Sequence, residues 1–218
     1  MRGARGESRG EKDVLGLWTA ENEGARFWTG VLAELKNRGA ADILIACANG
    51  LSGFLEAARA VCPRTWAQLC IVRMARNSAR FASHKDLKKA RADLKAIHSA
   101  AAEEAGRAAL AGFGEKRDSK CPVIFRRWEC HWDDLREFFK RPPEIRRAIY
   151  ATNAAESLNC HLRKAAKNRS AFRADDAMLK MLCLAIRNAS RKWTMPIGEW
   201  GQALNQFAVE FGKERVPF

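Results

Sequence analysis

The fold class follows from one short apolar run, Ile43-Leu-Ile-Ala-Cys-Ala48, and from the Asn49-Gly50 dipeptide directly after it. A continuous apolar run of this length that ends at a turn dipeptide is typical of a buried strand. A second such run, Trp66-Ala-Gln-Leu-Cys-Ile-Val72, comes after a helical pattern over residues 52–60. Strand, helix and strand in close succession predict a parallel pair and hence an α/β layer.

A third strand and a helix are predicted upstream of this layer. Another short apolar run, which we interpret as a buried strand, is Asp13-Val-Leu-Gly-Leu-Trp-Thr19. A helix after it is indicated by apolar residues at helical spacing, and Gly39 suits the position just past its end. The apolar residues are Ala25, Trp28, Val31, Leu32 and Leu35.

The rest of the chain is predicted to be helical. Residues 74–139 show no strand-like alternation, and an aromatic stripe within them recurs at the spacing of a helix core. This spacing favours packing over base stacking for the members of the stripe, which are Trp128, Trp132, Leu135, Phe138 and Phe139. Further helices are expected after the break at Pro142-Pro143, from Asp175 onward, and over Trp200–Phe211.

One of these helices carries the candidate site. In Tyr150-Ala-Thr-Asn-Ala-Ala-Glu-Ser-Leu-Asn159, Asn153 suits the N-cap and Glu156 the third position of a capping box. At about 100° per residue, Glu156 heads a polar and basic face whose opposite side is apolar. The basic residues are Arg163, Lys164, Lys167 and Arg169. Glu156 is either a cap alone or a metal-binding acid, and the basic residues form either a solvated face or a track that binds the phosphates of DNA.

Composition favours a polyanionic partner. The 218 residues include 39 Lys and Arg against 25 Asp and Glu, which gives a formal net charge of +14. Such a balance suits nucleic acid, and a basic protein without that role stays an alternative. The seven cysteines form no CxxC pair and the four histidines no HExxH pair, so the sequence contains none of the common zinc motifs.

A cytoplasmic location is expected, with no membrane partner. Free thiols are typical of a reducing compartment. The start of the chain lacks the apolar core of a signal peptide. No apolar run reaches the roughly 18 residues that span a bilayer.

A series of stretches, in order over residues 11–211, carries a family resemblance that covers nearly the whole chain. The stretches are Val14-Leu-Gly-Leu-Trp18, Glu21-Asn-Glu-Gly24 with Phe27-Trp28, Leu35-Lys-Asn-Arg-Gly39, Asn49-Gly-Leu-Ser-Gly53, Gln68-Leu-Cys-Ile-Val72 with Arg76-Asn77, Pro143-Glu-Ile-Arg-Arg147, Thr152-Asn-Ala-Ala-Glu-Ser-Leu-Asn159, Leu162-Arg-Lys164 and Lys192-Trp193. On these stretches the chain resembles the catalytic domain of the mutator-type transposases of bacterial insertion sequences.

The resemblance implies a ribonuclease H-like core with an Asp-Asp-Glu triad that holds two Mg²⁺ or Mn²⁺ ions and cuts and rejoins DNA. Glu156 matches the third acid and would be a catalytic metal ligand. Asn49 stands where the family has its second acid, and the first acid belongs to a strand upstream of Val14. Of the family's Cys-x-x-His, Cys70 is kept and Arg73 replaces the His. We therefore expect an incomplete core in an N-terminally truncated, catalytically impaired copy.

The resemblance also implies a domain organisation and a function. Residues 12–73 and 141–218 are expected to be the α/β core with C-terminal helices, and residues 74–140 a long all-helical insertion before the last catalytic helix. The glycines and charges of residues 1–11, which show no periodicity, separately predict a disordered tail. The expected function is DNA transposition, with the ends of the insertion sequence and target DNA as partners, and a homo-oligomer or an intact transposase as a further partner. The alternatives are a non-catalytic DNA-binding or transposase-pairing regulator and a decayed gene product.

Overall fold

The structure is a computed structural model, and it describes residues 10–20, 22, 24–48, 53–117, 121–150, 153–167 and 175–216. The backbone alone is described for Tyr150, residues 153–157, Lys167, Asp175 and Asp176. Two of the candidate site residues, Asn49 and Arg169, lie outside these ranges.

Helices dominate the described part of the chain, around two short strands. The helices are α1 Ala25–Asn37, α2 Phe54–Val61, α3 Ile71–Ser78, α4 Leu87–His98, α5 Glu103–Arg117, α6 Pro122–Cys130, α7 Trp132–Arg136, α8 Pro143–Tyr150, α9 Asn153–Lys167, α10 Asp175–Ser190 and α11 Trp200–Phe211. A 3₁₀ turn, Ala79–Phe81, follows α3. The strands are β1 Ile45–Ala48 and β2 Trp66–Leu69.

The two strands pair in parallel, with Ile45 opposite Trp66 and Ala48 opposite Leu69. Helix α2 connects them, so the predicted strand–helix–strand unit is confirmed. Strand β2 ends earlier than its apolar run suggested, because the buried residues after Cys70 recur at helical spacing and form the inner face of α3.

The predicted strand over Asp13–Thr19 is wrong. Among the described residues the sheet has two strands, and residues 13–19 have no regular secondary structure. The segment lies largely in solvent, with Leu15 55% exposed. Its attachment to the fold is a side-chain contact, since the Trp18 indole N–H donates to Glu34 Oε2 at 2.7 Å. An apolar run becomes a strand only where a neighbouring strand can accept its backbone hydrogen bonds.

The largest core cluster lies among the helices after the sheet. The aromatic stripe is buried there, and Trp128, Leu135 and Phe138 are at most 1% exposed. The Trp128 indole N–H donates to Ser78 Oγ at 3.0 Å, which ties α6 to the end of α3. Trp132 stacks on Phe139 with ring centroids 5.9 Å apart. The packing interpretation of the stripe is confirmed.

Two further sequence expectations for local structure are confirmed. Gly39 adopts φ +99° just beyond α1, a conformation that favours glycine. Helix α11 has the bounds predicted from its apolar spacing. Residues 1–9 of the predicted tail lie outside the described ranges. The carbonyl of Gly10, which also belongs to this tail, accepts a hydrogen bond from the Ile197 N–H at 3.0 Å.

No helix in the described ranges has both the length and the apolar character that crossing a membrane requires.

Candidate nucleic-acid interface

Helix α9 presents a basic face on the surface. The helix contacts α10, and the four described residues of its apolar side, Leu158, Leu162, Ala165 and Ala166, are half-buried. On the opposite side Arg163 and Lys164 are exposed. Arg163 Nε donates to the Asn159 carbonyl at 3.2 Å, one helical turn back. The predicted division of this helix into an apolar back and a basic front is confirmed for these residues, and we call Arg163 and Lys164 the α9 basic face.

Several predicted site residues are only partly located. The backbone of Glu156 lies in the first turn of α9, which begins at Asn153. The side chains of Glu156 and Lys167 are not among the described atoms, nor are Asn49 and Arg169 as a whole. The capping role of Asn153 and the approach of Glu156 to position 49 therefore stay predictions.

The carboxyl edge of the parallel pair is where an α/β layer gathers ligands. The Cys70 N–H donates to the Ala48 carbonyl at 2.8 Å, so β1 and β2 end side by side. Helix α3 starts immediately after Cys70, and Arg73 lies in its first turn. The residue after Ala48 is Asn49. The register therefore brings the chain entering position 49 next to the start of α3.

The thiol beside this edge is a packing group. Burial raises the pKa of Cys47 to about 11, an effect that the hydrogen bond from Gln68 only partly offsets. Gln68 Nε2 lies 3.2 Å from Cys47 Sγ. Cys47 is therefore a neutral thiol at pH 7.

A metal pair does not fit the donor set that the described side chains provide. In the part of the chain with located side chains, no group of three or more His, Cys, Asp and Glu residues lies close enough to hold a metal ion. The chemistry of position 49 points the same way, because an asparagine amide oxygen carries no charge to set against two dications.

A second basic surface, which the sequence did not single out, lies between α3 and α4. A cavity of about 660 Å³ is lined by basic side chains of both helices, Arg76 from α3 and Arg91, Lys95 and His98 from α4. Its apolar lining is Val72, Ala75 and Leu94. We call this cavity the basic groove. The i, i+4, i+7 spacing of the α4 residues could have indicated one basic face, but not the helix that packs beside it.

The positive charges of the groove act on its histidine. Burial, the charge of Lys95 and the charge of Arg76 lower the pKa of His98 to about 4. Arg117 pairs with the acid of α4, since its Nε contacts Asp93 Oδ2 at 2.5 Å, and its Nη1 lies 3.8 Å from Oδ1 of Asp86, which precedes the helix. No carboxylate is among the described side chains that line the groove.

These features define a class of protein: a strongly basic, mostly helical chain built on one small parallel α/β layer, with exposed cations on two helical surfaces. The chain belongs to the Mutator family of transposases, since residues 6–196 match the family described as Transposase, Mutator family. The family predicted from the sequence motifs is thereby confirmed.

Individual relatives agree with this assignment. The chain is 46% identical over 205 residues to the transposase for insertion sequence element ISRM3 of Rhizobium meliloti (strain 1021), covering 94% of this chain and 51% of that protein. It is 45% identical over 205 residues to a probable transposase for an ISRM3-like element of Sinorhizobium fredii, covering 94% and 51%. A probable insertion sequence transposase of Corynebacterium diphtheriae is 39% identical over 222 residues, covering 93% and 65%. The chain spans about half the length of the first two relatives.

Proposed function

We propose that this chain is the part of an insertion sequence transposase that holds DNA through the α9 basic face. The observation that carries the proposal is the exposure of Arg163 and Lys164 on a helix that contacts α10 and whose apolar side is half-buried, in a member of a transposase family. Cations held on one side of a supported helix can contact successive phosphates without reordering the protein.

The ribonuclease H-like core belongs to the same proposal. The parallel pair with its α2 crossover supports it, as does the helical character of the described residues between β2 and α8. In this organisation residues 12–73 and 141–218 form the core, and residues 74–140 are an insertion. Glu156, in the first turn of α9, is the third acid and a ligand for Mg²⁺ or Mn²⁺.

The chain by itself does not perform strand transfer in this proposal. Two-metal phosphoryl transfer needs anionic ligands from several elements of the fold. Position 49 offers a neutral amide in place of the acid, and position 73 offers a guanidinium in place of the imidazole. These two substitutions favour the second candidate function, a DNA-binding regulator that occupies element ends or pairs with an intact transposase.

The experiment that tests DNA binding is a fluorescence anisotropy titration of a labelled duplex at several salt concentrations. We compare the wild type with the R163Q/K164Q variant and with R59Q/K89Q, which removes one Arg and one Lys from exposed positions of α2 and α4. Losing two phosphate contacts should make the negative slope of log K against log salt shallower by about 2. A slope equal to that of the R59Q/K89Q control would refute the role of the α9 basic face.

Strand transfer is tested separately with element-end DNA and Mn²⁺. The wild-type chain should give no joined product. Metal-dependent joining that Glu156→Gln abolishes would show that the chain is an active transposase.

A further inference from the structure

We propose that the basic groove between α3 and α4 binds the phosphodiester backbone of a nucleic acid strand. This inference rests on the proposed DNA-binding function and adds a second contact surface to it. The groove is separate in sequence from α9, and none of its cations belongs to the basic stretch that the sequence singled out.

The geometry of the cations suits phosphate. Arg91 and Lys95 are exposed and lie one helical turn apart on α4. Within the described ranges neither of them has a carboxylate partner. A guanidinium donates two parallel hydrogen bonds to a phosphate, and the lysine ammonium adds a point charge beside it. Arg76 reaches the same cavity from α3, so positive charge comes from both walls.

The surroundings strengthen the attraction. Val72, Ala75 and Leu94 form an apolar lining below the cations, and Leu94 is only 1% exposed. A cleft with charges of one sign and walls of low polarity focuses the electrostatic field and concentrates counter-ions. The acid of α4, Asp93, is paired with Arg117 and is not part of the groove lining.

The protonation of His98 depends on the positive charge of the groove. His98 faces Lys95 on its own helix and Arg76 on α3, and it also borders a second cavity lined by Arg146 and Arg147 of α8. It stays neutral at pH 7 because burial and the charges of Lys95 and Arg76 lower its pKa. A bound phosphate would offset part of that repulsion, so His98 reports whether an anion occupies the groove.

The groove also lies close to the carboxyl edge of the sheet. Helix α3 begins directly after Cys70, and Arg76 follows six residues later. At about 1.5 Å per residue that separation is roughly 9 Å along the helix axis. A nucleic acid strand in the groove would therefore lie near the carboxyl end of β2.

The chemistry of the groove fits both free phosphate and a nucleic acid backbone, and we commit to the backbone. One cation would suffice for an isolated ion, whereas the groove carries cations from two helices over a cavity of about 660 Å³. The experiment distinguishes the two sources.

The test is the salt dependence of duplex binding by the full chain, measured by fluorescence anisotropy for the wild type, R91Q/K95Q and the matched R59Q/K89Q control. All four positions are exposed, so the variants should keep the wild-type circular dichroism spectrum. In R91Q/K95Q we expect the negative slope of log K against log salt to become shallower by about 2. Binding should weaken on the order of tenfold near physiological salt. In the R59Q/K89Q control, the loss of affinity and the change in slope should each be less than half as large.

The outcomes separate this inference from the proposed function. If R163Q/K164Q weakens binding and R91Q/K95Q behaves like the control, the groove is refuted and the α9 basic face stands. If R91Q/K95Q weakens binding and R163Q/K164Q does not, the groove stands and the α9 basic face is refuted. A wild type that binds no duplex refutes both.

The His98 imidazole signals in an NMR titration identify the ligand class. Duplex DNA should shift them in the wild type and leave them unchanged in R91Q/K95Q. A shift produced by inorganic phosphate, with no competition from duplex DNA, would show a small-anion site and overturn the nucleic acid assignment.

Discussion

Replacing Ser78 with alanine tests how firmly the helices after the sheet hold α3 in place. Ser78 is the last residue of α3, and its hydroxyl oxygen accepts the Trp128 indole N–H at 3.0 Å. Both side chains are fully buried. Because α3 also carries Arg76, this hydrogen bond positions one wall of the basic groove.

The structure sets the size of the effect. In Ser78→Ala the indole N–H stays buried and loses its acceptor, which should lower the free energy of unfolding by about 1–3 kcal/mol. Trp128→Phe removes the donor together with part of the ring, and we expect a loss of about 1–3 kcal/mol from the lost packing. In the double variant no donor is left unpaired, so its loss should fall short of the sum of the two by about 1–2 kcal/mol.

Urea unfolding followed by circular dichroism measures all three variants against the wild type. Ser99→Ala is the matched control, since its exposed hydroxyl donates to the Lys95 carbonyl at 2.7 Å, and it should cost less than about 0.5 kcal/mol. Additive losses within roughly 0.3 kcal/mol would refute the reasoning, because they would mean that the buried hydrogen bond does not couple α3 to α6.

Three other outcomes are expected. The pKa of His98 is lowered from 6.5 to about 4, so the unfolded chain binds a proton that the folded chain rejects, and stability should rise with pH between about 4 and 6.5. Thermal unfolding should show this rise, about 1–2 kcal/mol after allowance for partial exposure, and His98→Gln should remove it. The Asp42 carboxylate accepts hydrogen bonds from Arg215 at 2.6 and 2.8 Å, which lowers the pKa of Asp42, so its stabilisation is present above pH 3.8 and is lost as pH falls below it. Asp42→Asn should cost about 1–3 kcal/mol in urea unfolding at pH 7, because the Arg215 side chain, 8% exposed, loses its counter-charge; an unchanged midpoint would contradict that. Asn49→Asp alone should not give strand transfer in a Mn²⁺ assay with element-end DNA, and a joined product that depends on Glu156 would show that the remaining ligands are already in place.

The sequence predictions were accurate where a feature depends on residues that lie close together in the sequence. Helix α11 has the predicted bounds, and β1 begins two residues later than predicted and ends at the predicted residue. The aromatic stripe was assigned to packing from its helical spacing, and Trp128 lies in the core. The exposure of Arg163 and Lys164 followed from the apolar side of α9. In each case residues a few positions apart carry the whole signal.

The family assignment was also available from the sequence, since its motifs run along nearly the whole chain and do not depend on the relative positions of the helices. The departures from the family pattern at positions 49 and 73 could also be identified from the sequence, because each falls inside a motif of the family.

The tertiary structure decided what depends on a distant neighbour. Asp13–Thr19 has the composition of a strand, yet a strand exists only where another strand accepts its hydrogen bonds, and Trp18 contacts α1 instead. The apolar residues after Cys70 suggested that the strand continues, but they form helix α3, whose inner face is buried in the core. The basic groove arises because α3 and α4 pack side by side, while Asp93 of α4 pairs with Arg117. Local periodicity records which face of an element is buried, whereas the groove depends on which two faces meet, and that choice is made by packing across the whole fold.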